Sequence, residues 1–268
     1  MSLPLNEYGI LTAENKHNQV TFDFPIQSII PGLDENLLLI ETHDLNTKSQ
    51  TFLLLSFEPL EIIQAISFDE EYTGLVTKSY DKSRLLFIQY SDQNNPDLTN
   101  IYTFNWTGGE PTFALQNTRI IQSGPDWIKV PHPHFANKEI YIDVKSGSQM
   151  REKPKTEKDL FQNIQYATAY LEESEYFQWF VQYFAKHGIT PCRQVEYLKT
   201  EHAVLISYYE NKEEGLSNSL TLLDKEGTIL EQIILDKKLK GIGKDTFFVY
   251  QNKAIFVTHK KTLNIYEL

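Results

Sequence analysis

Short apolar stretches recur along this chain, and several are followed by an Asn or Asp, a few polar residues and a Gly. Residues 101–108, 140–147 and 220–227 have this pattern, and residues 52–59 are a looser copy that ends in Pro. Short apolar stretches bounded by turn residues are typical of β-strands. The Gly at the end of a copy indicates a hairpin turn, because such turns need a residue with positive φ.

The copies recur at intervals of about 40–50 residues once a helical-looking stretch, residues 156–188, is set aside. Four strands in an interval of this length are typical of propeller blades. The sequence therefore predicts an all-β, five-bladed β-propeller-like fold, with residues 1–268 as a single domain. A pair of β-sandwiches is the alternative, because Pro125, Pro131 and Pro133 interrupt the third unit and proline is confined to edges and turns.

The last unit shows only three strands, at residues 246–250, 254–258 and 262–267. Residues 20–24 near the N-terminus alternate apolar and polar side chains like a half-buried strand. We expect this segment to complete the last unit, because a strand supplied by the other terminus removes an exposed sheet edge.

Residues 156–188 predict a helical hairpin inserted between the third and fourth units. Thr156 begins a capping pattern, and apolar residues follow at helical spacing at positions 160, 164, 167 and 171. Ser174 can cap a second helix that Gly188 closes. This helix carries the aromatic residues Tyr176, Phe177, Trp179, Phe180, Tyr183 and Phe184. Either they all pack into the core, or they leave a surface within residues 174–187 for a partner or for self-association.

Composition narrows the class of protein. Hydrophobic residues make up 41% of the chain, which is enough for a packed core. The net charge of −11 argues against binding to nucleic acid and against electrostatic attachment to a membrane. Cys192 is the single cysteine, so no internal disulfide can form. With no signal peptide visible at the start and no long apolar run, we expect a cytoplasmic protein, unless a signal peptide has been removed.

Local motifs give little support for catalysis. His132 and His134 alternate with prolines and can point to one side of an extended segment, but no third metal ligand has a diagnostic spacing. Residues 241–244 lack the rest of a phosphate-binding loop, and Cys192 has no nucleophile signature. We therefore expect no catalytic residue, no metal site and no cofactor.

A binding site is predicted on the loops that connect the second and third strands of the blades, residues 43–50, 91–97 and 210–217. These loops emerge on one face of an up-and-down propeller, and binding residues gather on loops carried by a rigid scaffold. The predicted site residues are Glu41, His43, Tyr90 and Tyr209, with Asp126, Trp127, His132 and His134 as additions from the third unit.

Several segments resemble an uncharacterised, propeller-like family of unknown function from Bacteroidetes bacteria. They are residues 38–44, 96–101, 195–198, 206–209 and 243–248. The resemblance spans nearly the whole chain and implies a single domain in a bacterial cytoplasm. That family has no assigned activity, so the resemblance implies no site residue.

The sequence is compatible with two classes of function, a binding protein and an enzyme. The absence of nucleophile, metal and phosphate signatures favours a noncatalytic binding or scaffold protein with an unknown protein or small-molecule partner. The alternative is a hydrolase or lyase whose acidic and histidine side chains converge on the propeller face only in the folded chain.

Overall fold

The computed structural model describes residues 9–14, 17–32, 36–69, 72, 74–91, 95, 98–124, 126–152 and 164–268. The strands in the first half are β1 (Gly9–Glu14), β2 (His17–Phe22), β3 (Ile26–Pro31), β4 (Leu37–Asp44), β5 (Ser49–Phe57), β6 (Leu60–Phe68), β7 (Leu75–Tyr80), β8 (Arg84–Tyr90), β9 (Thr99–Asn105), β10 (Phe113–Thr118), β11 (Gln122–Ser123), β12 (Trp127–Pro131) and β13 (Glu139–Asp143). The later elements are β14 (Ile164–Tyr166), β15 (Thr168–Leu171), α1 (Phe177–Ala185), β16 (Cys192–Lys199), β17 (Val204–Lys212), β18 (Gly215–Leu223), β19 (Ile229–Leu239), β20 (Phe247–Tyr250), β21 (Lys253–Thr258) and β22 (Thr262–Glu267).

The protein is all-β, as predicted, with one helix and several antiparallel sheets, none of which closes on itself over the residues that the structure describes. Within the described residues there are five sheets. In strand order they are sheet I (β3-β4-β5-β6), sheet II (β10-β9-β8-β7), sheet III (β11-β12-β13), sheet IV (β15-β16-β17-β18-β19) and sheet V (β1-β2-β22-β21-β20-β14).

The chain forms two compact units. Unit 1 comprises residues 1–7 and 27–162 and contains sheets I, II and III. Unit 2 comprises residues 8–26 and 163–268 and contains sheets IV and V with helix α1.

Sheet II is buried on both faces, and its central strand β8 shows why. Leu85 and Phe87 face a core shared with sheet I, whereas Leu86 and Ile88 face a core shared with sheet III. Because successive side chains of a strand point to opposite faces, a strand covered on both sides reads as a continuous apolar run. In unit 2, one core lies between sheets IV and V, and a second lies between sheet IV and α1.

The hairpin turns have the geometry that the repeated pattern predicts. Gly108, Gly147 and Gly227 all have positive φ, at 75°, 68° and 86°. In the turn after β18, the Asp224 side chain accepts a hydrogen bond from the backbone N–H of Thr228 (2.7 Å). The Asp of the pattern therefore holds the turn, and the Gly supplies the left-handed residue.

The N-terminal segment joins the last sheet. Strand β2 pairs antiparallel with β22, with Val20 opposite Leu263. The N-terminus thus supplies a strand to the C-terminal unit, as predicted, but the strand lies earlier than predicted: of residues 20–24, only 20 and 21 pair with β22.

Of the two helices predicted for the hairpin, the described residues contain only the second. Residues 164–166 and 168–171 are strands that pair with β20 and β16, so the first helix is wrong there, and its start at 156–163 lies outside the described residues. The second helix is present as α1, but Ser174 does not cap it with its side chain. Gly188 closes it with φ 72°, while the N–H of Ile189 donates to the carbonyl of Phe184 (3.1 Å).

No helix in the part of the chain that the structure describes is long and apolar enough to cross a membrane.

Candidate functional site

A polar cluster lies at one edge of sheet I, where β4 ends. Glu41 and His43 are two residues apart on β4 and share a face, and the Glu41 Oε1 atom is 2.6 Å from His43 Nε2. The Ser28 hydroxyl donates to Glu41 Oε2 (2.7 Å), and the Gln50 amide donates to Glu41 Oε1 (2.9 Å). In the cluster of Ser28, Glu41, His43 and Gln50, the first three side chains are partly exposed and Gln50 is buried. The structure thus brings two predicted site residues together.

Gln50 connects this cluster to sheet II. Its Oε1 atom accepts a hydrogen bond from the N–H of Leu75 (3.1 Å), at the start of β7. Leu75 lies opposite Gln89, the residue before Tyr90 at the end of β8. Tyr90 therefore lies at the same edge of unit 1 as Gln50 and its partners Glu41 and His43, and its side chain is exposed.

The same edge opens into a cleft between sheets II and III. Its volume is about 620 Å³, and its apolar lining comes from β10, β12 and β13, with Leu115, Val130, Ile140 and Ile142. Arg119 and His132 also line it. A neighbouring cavity of about 430 Å³ contains Tyr90, Lys78 and the same Arg119. Two predicted residues, Tyr90 and His132, thus line adjacent cavities that share one arginine.

The two predicted loop histidines lie near each other, with ring centroids 6.1 Å apart. The backbone N–H of His134 donates to His132 Nδ1 (3.1 Å), which occupies one ring nitrogen. The His132 ring packs against Phe135, with centroids 4.7 Å apart. The residues described contain no group of three or more His, Cys, Asp or Glu side chains arranged to hold a metal ion.

Asp126 and Trp127 lie at the opposite end of β12 from His132. Asp126 forms an ion pair with Arg84 at the start of β8, whereas Tyr90 ends that strand. Trp127 is buried, and its indole occupies the space that a Cβ on Gly124 would need. The eight predicted residues therefore do not form one group, because β8 and β12 separate Asp126 and Trp127 from the edge that carries Tyr90 and His132.

Tyr209 belongs to unit 2, where its side chain is buried. Its hydroxyl accepts a hydrogen bond from the N–H of Gly243 (2.8 Å), and burial raises the pKa of the phenol. The carboxylate of Glu196 lies beside it and accepts from the N–H groups of Asp245 (2.8 Å) and Thr246 (2.9 Å). The backbone N–H groups of Gly243, Asp245 and Thr246 are thus bonded to the side chains of Tyr209 and Glu196.

Sequence reasoning missed Lys78, Arg119, Ser28 and Gln50. Lys78 and Arg119 are single basic residues on different segments, and only the folding of sheet II brings them to one cavity. Ser28 and Gln50 lie on the strands that flank Glu41, but no local motif marks them as its partners.

No protein-family model and no curated protein matches this chain. Among solved structures, it is similar to an uncharacterized protein from Listeria monocytogenes, with 11% identity and a TM-score of 0.30 over 98% of this chain and 81% of that one. It is also similar to TolB from Acinetobacter baumannii, with 12% identity and a TM-score of 0.26 over 94% of this chain. The match spans 59% of that TolB chain. Both TM-scores lie below 0.5, too low to assign a shared fold.

Proposed function

We propose that this protein is a noncatalytic binding protein whose ligand occupies the cleft between sheets II and III of unit 1. The observation that carries the proposal is the size and lining of that cleft. Its volume of about 620 Å³ lies within the range of small-molecule sites. Its lining combines apolar side chains with a few polar groups, which is the usual composition of such a site.

The lining indicates the chemistry of the ligand. Leu115, Ile140 and Ile142 supply an apolar surface, and Arg119 is a permanent cation beside it. The chain as a whole carries a charge of −11, whereas the lining of this cleft includes Arg119 and no acidic residue. An anionic group is therefore attracted to this cleft in preference to the surrounding surface. We infer a ligand with an apolar body and one carboxylate.

Decanoate and decan-1-ol test this inference, because they share an alkyl chain and differ in charge. By isothermal titration calorimetry, wild type should bind decanoate about tenfold or more tightly than decan-1-ol, since charge-assisted hydrogen bonds are the stronger ones. Arg119→Gln should remove that preference, and Leu115→Trp should weaken binding of both compounds by filling the cleft.

Arg151→Gln is the matched control, because Arg151 is an exposed arginine that does not line the cleft. It should bind decanoate like wild type. No binding of either compound, or an equal decanoate affinity in wild type, Arg119→Gln and Leu115→Trp, would contradict the proposal.

A hydrolase or lyase is the second candidate, and the contact between Glu41 and His43 favours it. A carboxylate that orients an imidazole is the arrangement of a general base. The Ser28 hydroxyl donates to Glu41 rather than to the imidazole, however, so the cluster activates no nucleophile of its own. If it is catalytic, His43→Asn should abolish the hydrolysis of a p-nitrophenyl ester that Lys212→Gln leaves intact.

The propeller is the architecture we propose for the five sheets. Its support is that sheets I to IV follow one another along the chain, and that sheet V joins the C-terminal strands β20–β22 to β14 and to the N-terminal strands β1 and β2. Membership of the Bacteroidetes family and the cytoplasmic location likewise stay predictions.

A further inference from the structure

Helix α1 has one face in the core of unit 2 and one face in solvent. Phe177 and Phe184 are buried against sheet IV, in a cluster with Val195 and Tyr208. The opposite face presents exposed Trp179 and Gln182, and exposed Glu175 and Lys186 lie just before and just after the helix. Together these four residues form an exposed stripe along α1, and residues spaced three and four apart on a helix are those that contact a second helix.

Trp179 makes this stripe unusual. It is 66% exposed, whereas the other two tryptophans, Trp106 and Trp127, are 6% and 5% exposed. Its ring contacts the exposed ring of Tyr176 edge to face, with centroids 5.1 Å apart, and Leu171 lies exposed nearby in the sequence. An exposed, ordered aromatic pair is typical of an interaction surface, where tryptophan and tyrosine are enriched.

The charges along the stripe are self-complementary. The acidic residues Glu172, Glu173 and Glu175 precede the helix, Lys186 follows it, and residues 176–185 carry no charge. Positions 175 and 186 are equidistant from the middle of the stripe, as are positions 179 and 182. A second copy laid antiparallel across a two-fold axis therefore places each Glu175 opposite a Lys186 and each Trp179 opposite a Gln182. A two-fold interface requires such a self-complementary surface.

We propose that α1 is a homodimer interface in which the stripe formed by Glu175, Trp179, Gln182 and Lys186 packs antiparallel against the same stripe of a second copy. Neither Glu175 nor Lys186 forms an ion pair with another described residue, so both charges are available to that copy. A helix of nine residues is short for an interface, since stable dimers bury about 800 Å² per partner. The dimer should therefore dissociate on dilution.

Trp179 provides the measurement, because it is the one exposed tryptophan among the described residues. Its emission should shift to shorter wavelength as the concentration rises from micromolar to millimolar, and sedimentation equilibrium should show a monomer–dimer equilibrium over the same range. Trp179→Ala should weaken association by about tenfold or more, as expected for a tryptophan at the centre of an interface.

Charge exchange tests the antiparallel register. Glu175→Lys alone and Lys186→Glu alone each place like charges opposite one another and should weaken the dimer, whereas the double variant should restore it. Glu226→Lys, in an exposed turn of the same unit, is the control and should dimerise like wild type. Circular dichroism and thermal unfolding check that each variant is folded.

Three results would overturn the proposal. They are a wild-type protein that stays monomeric over the whole range, a dimer that Trp179→Ala does not weaken, and a double charge variant that associates no better than the single ones.

Discussion

Replacing Phe87 by alanine should lower the free energy of unfolding of unit 1 by about 3–5 kcal/mol, the range for deleting a buried phenylalanine ring. Phe87 lies on β8 and is fully buried. Its ring contacts those of Phe52 and Phe68, with centroids 4.7 and 5.5 Å apart. Because these partners come from sheet I, the cavity would lie where two sheets of unit 1 are held together.

Urea denaturation can measure this loss within unit 1. Trp106 and Trp127 are buried in unit 1, so in a Trp179→Phe background tryptophan fluorescence reports the unfolding of that unit alone. The separation matters because the two units need not unfold in one step. Phe135→Ala is the matched control, since this phenylalanine of unit 1 is exposed and its loss should cost less than about 1 kcal/mol. Equal losses for the two variants would contradict the prediction.

Strands β4 to β6 of sheet I, β7 to β10 of sheet II and β16 to β19 of sheet IV could be predicted from the sequence, because these sheets carry two kinds of signal. Apolar runs such as residues 85–88 mark strands covered on both faces, and the Gly residues with positive φ mark the turns between strands. The pairing of β2 with β22 was also predictable, because the C-terminal unit was one strand short and residues 20–24 alternate.

The segment from residue 164 to 171 could not be predicted from local spacing. Ile164, Ala167 and Leu171 follow a helical period, yet the segment contains the β-favouring residues Tyr166, Thr168 and Tyr170. Strands β20 and β16 each present an edge to it, and pairing with those edges satisfies its backbone donors and acceptors. Tertiary pairing therefore outweighs a helical preference of a few tenths of a kcal/mol per residue.

The candidate site was only partly predictable for a similar reason. Strand ends and their loops can be read from the sequence, so the placement of Glu41, His43 and Tyr90 at one edge of unit 1 was predictable. Which end of β12 lies beside Tyr90 depends on how sheets II and III pack, and the sequence does not contain that information. The sequence therefore predicts Asp126 and Trp127 beside His132, whereas in the structure they lie at opposite ends of β12.

Glu196 is the second residue whose replacement should strongly lower the free energy of unfolding. This carboxyl is 2% exposed. Its Oε1 atom accepts from the N–H of Asp245 (2.8 Å), and its Oε2 atom accepts from the N–H (2.9 Å) and hydroxyl (2.5 Å) of Thr246. These bonds attach the segment before β20 in sheet V to strand β16 in sheet IV.

Glu196→Ala should lower the free energy of unfolding of unit 2 by about 2–4 kcal/mol, because it leaves two backbone N–H groups without their acceptor. The Thr246 hydroxyl also contacts Ser207 (2.8 Å), so it is not orphaned by the change. Hydrogen exchange measures the loss directly, as faster exchange of the amides of Asp245 and Thr246. Glu231→Ala, on the more open strand β19, is the control and should leave those two amides protected. Unchanged protection in Glu196→Ala would contradict the assignment of these bonds.

The contribution of Glu196 to the free energy of unfolding should change with pH in one direction. Burial raises the pKa of this carboxyl above its ordinary value of 4.5, although hydrogen bonds from Thr246 and Asp245 oppose the shift. The folded chain therefore takes up this proton at a higher pH than the unfolded chain does. Linkage between protonation and folding then requires that the stabilisation from Glu196 is fully present below the pKa of this carboxyl in the unfolded chain. It is lost as the pH rises through the pKa of the same carboxyl in the folded chain.

Glu196→Gln isolates this effect because it removes the titration and keeps the shape of the side chain. The free energy of unfolding of wild type, relative to that of Glu196→Gln, should increase as the pH is lowered from 8 toward 4.5, the unshifted value. Urea denaturation of both proteins across that range measures the difference, and other titrating groups cancel because the two chains share them. A difference that does not change with pH would show that burial does not shift the pKa of this carboxyl. A difference that shrinks as the pH falls would show that the hydrogen bonds to the ionised form outweigh its burial.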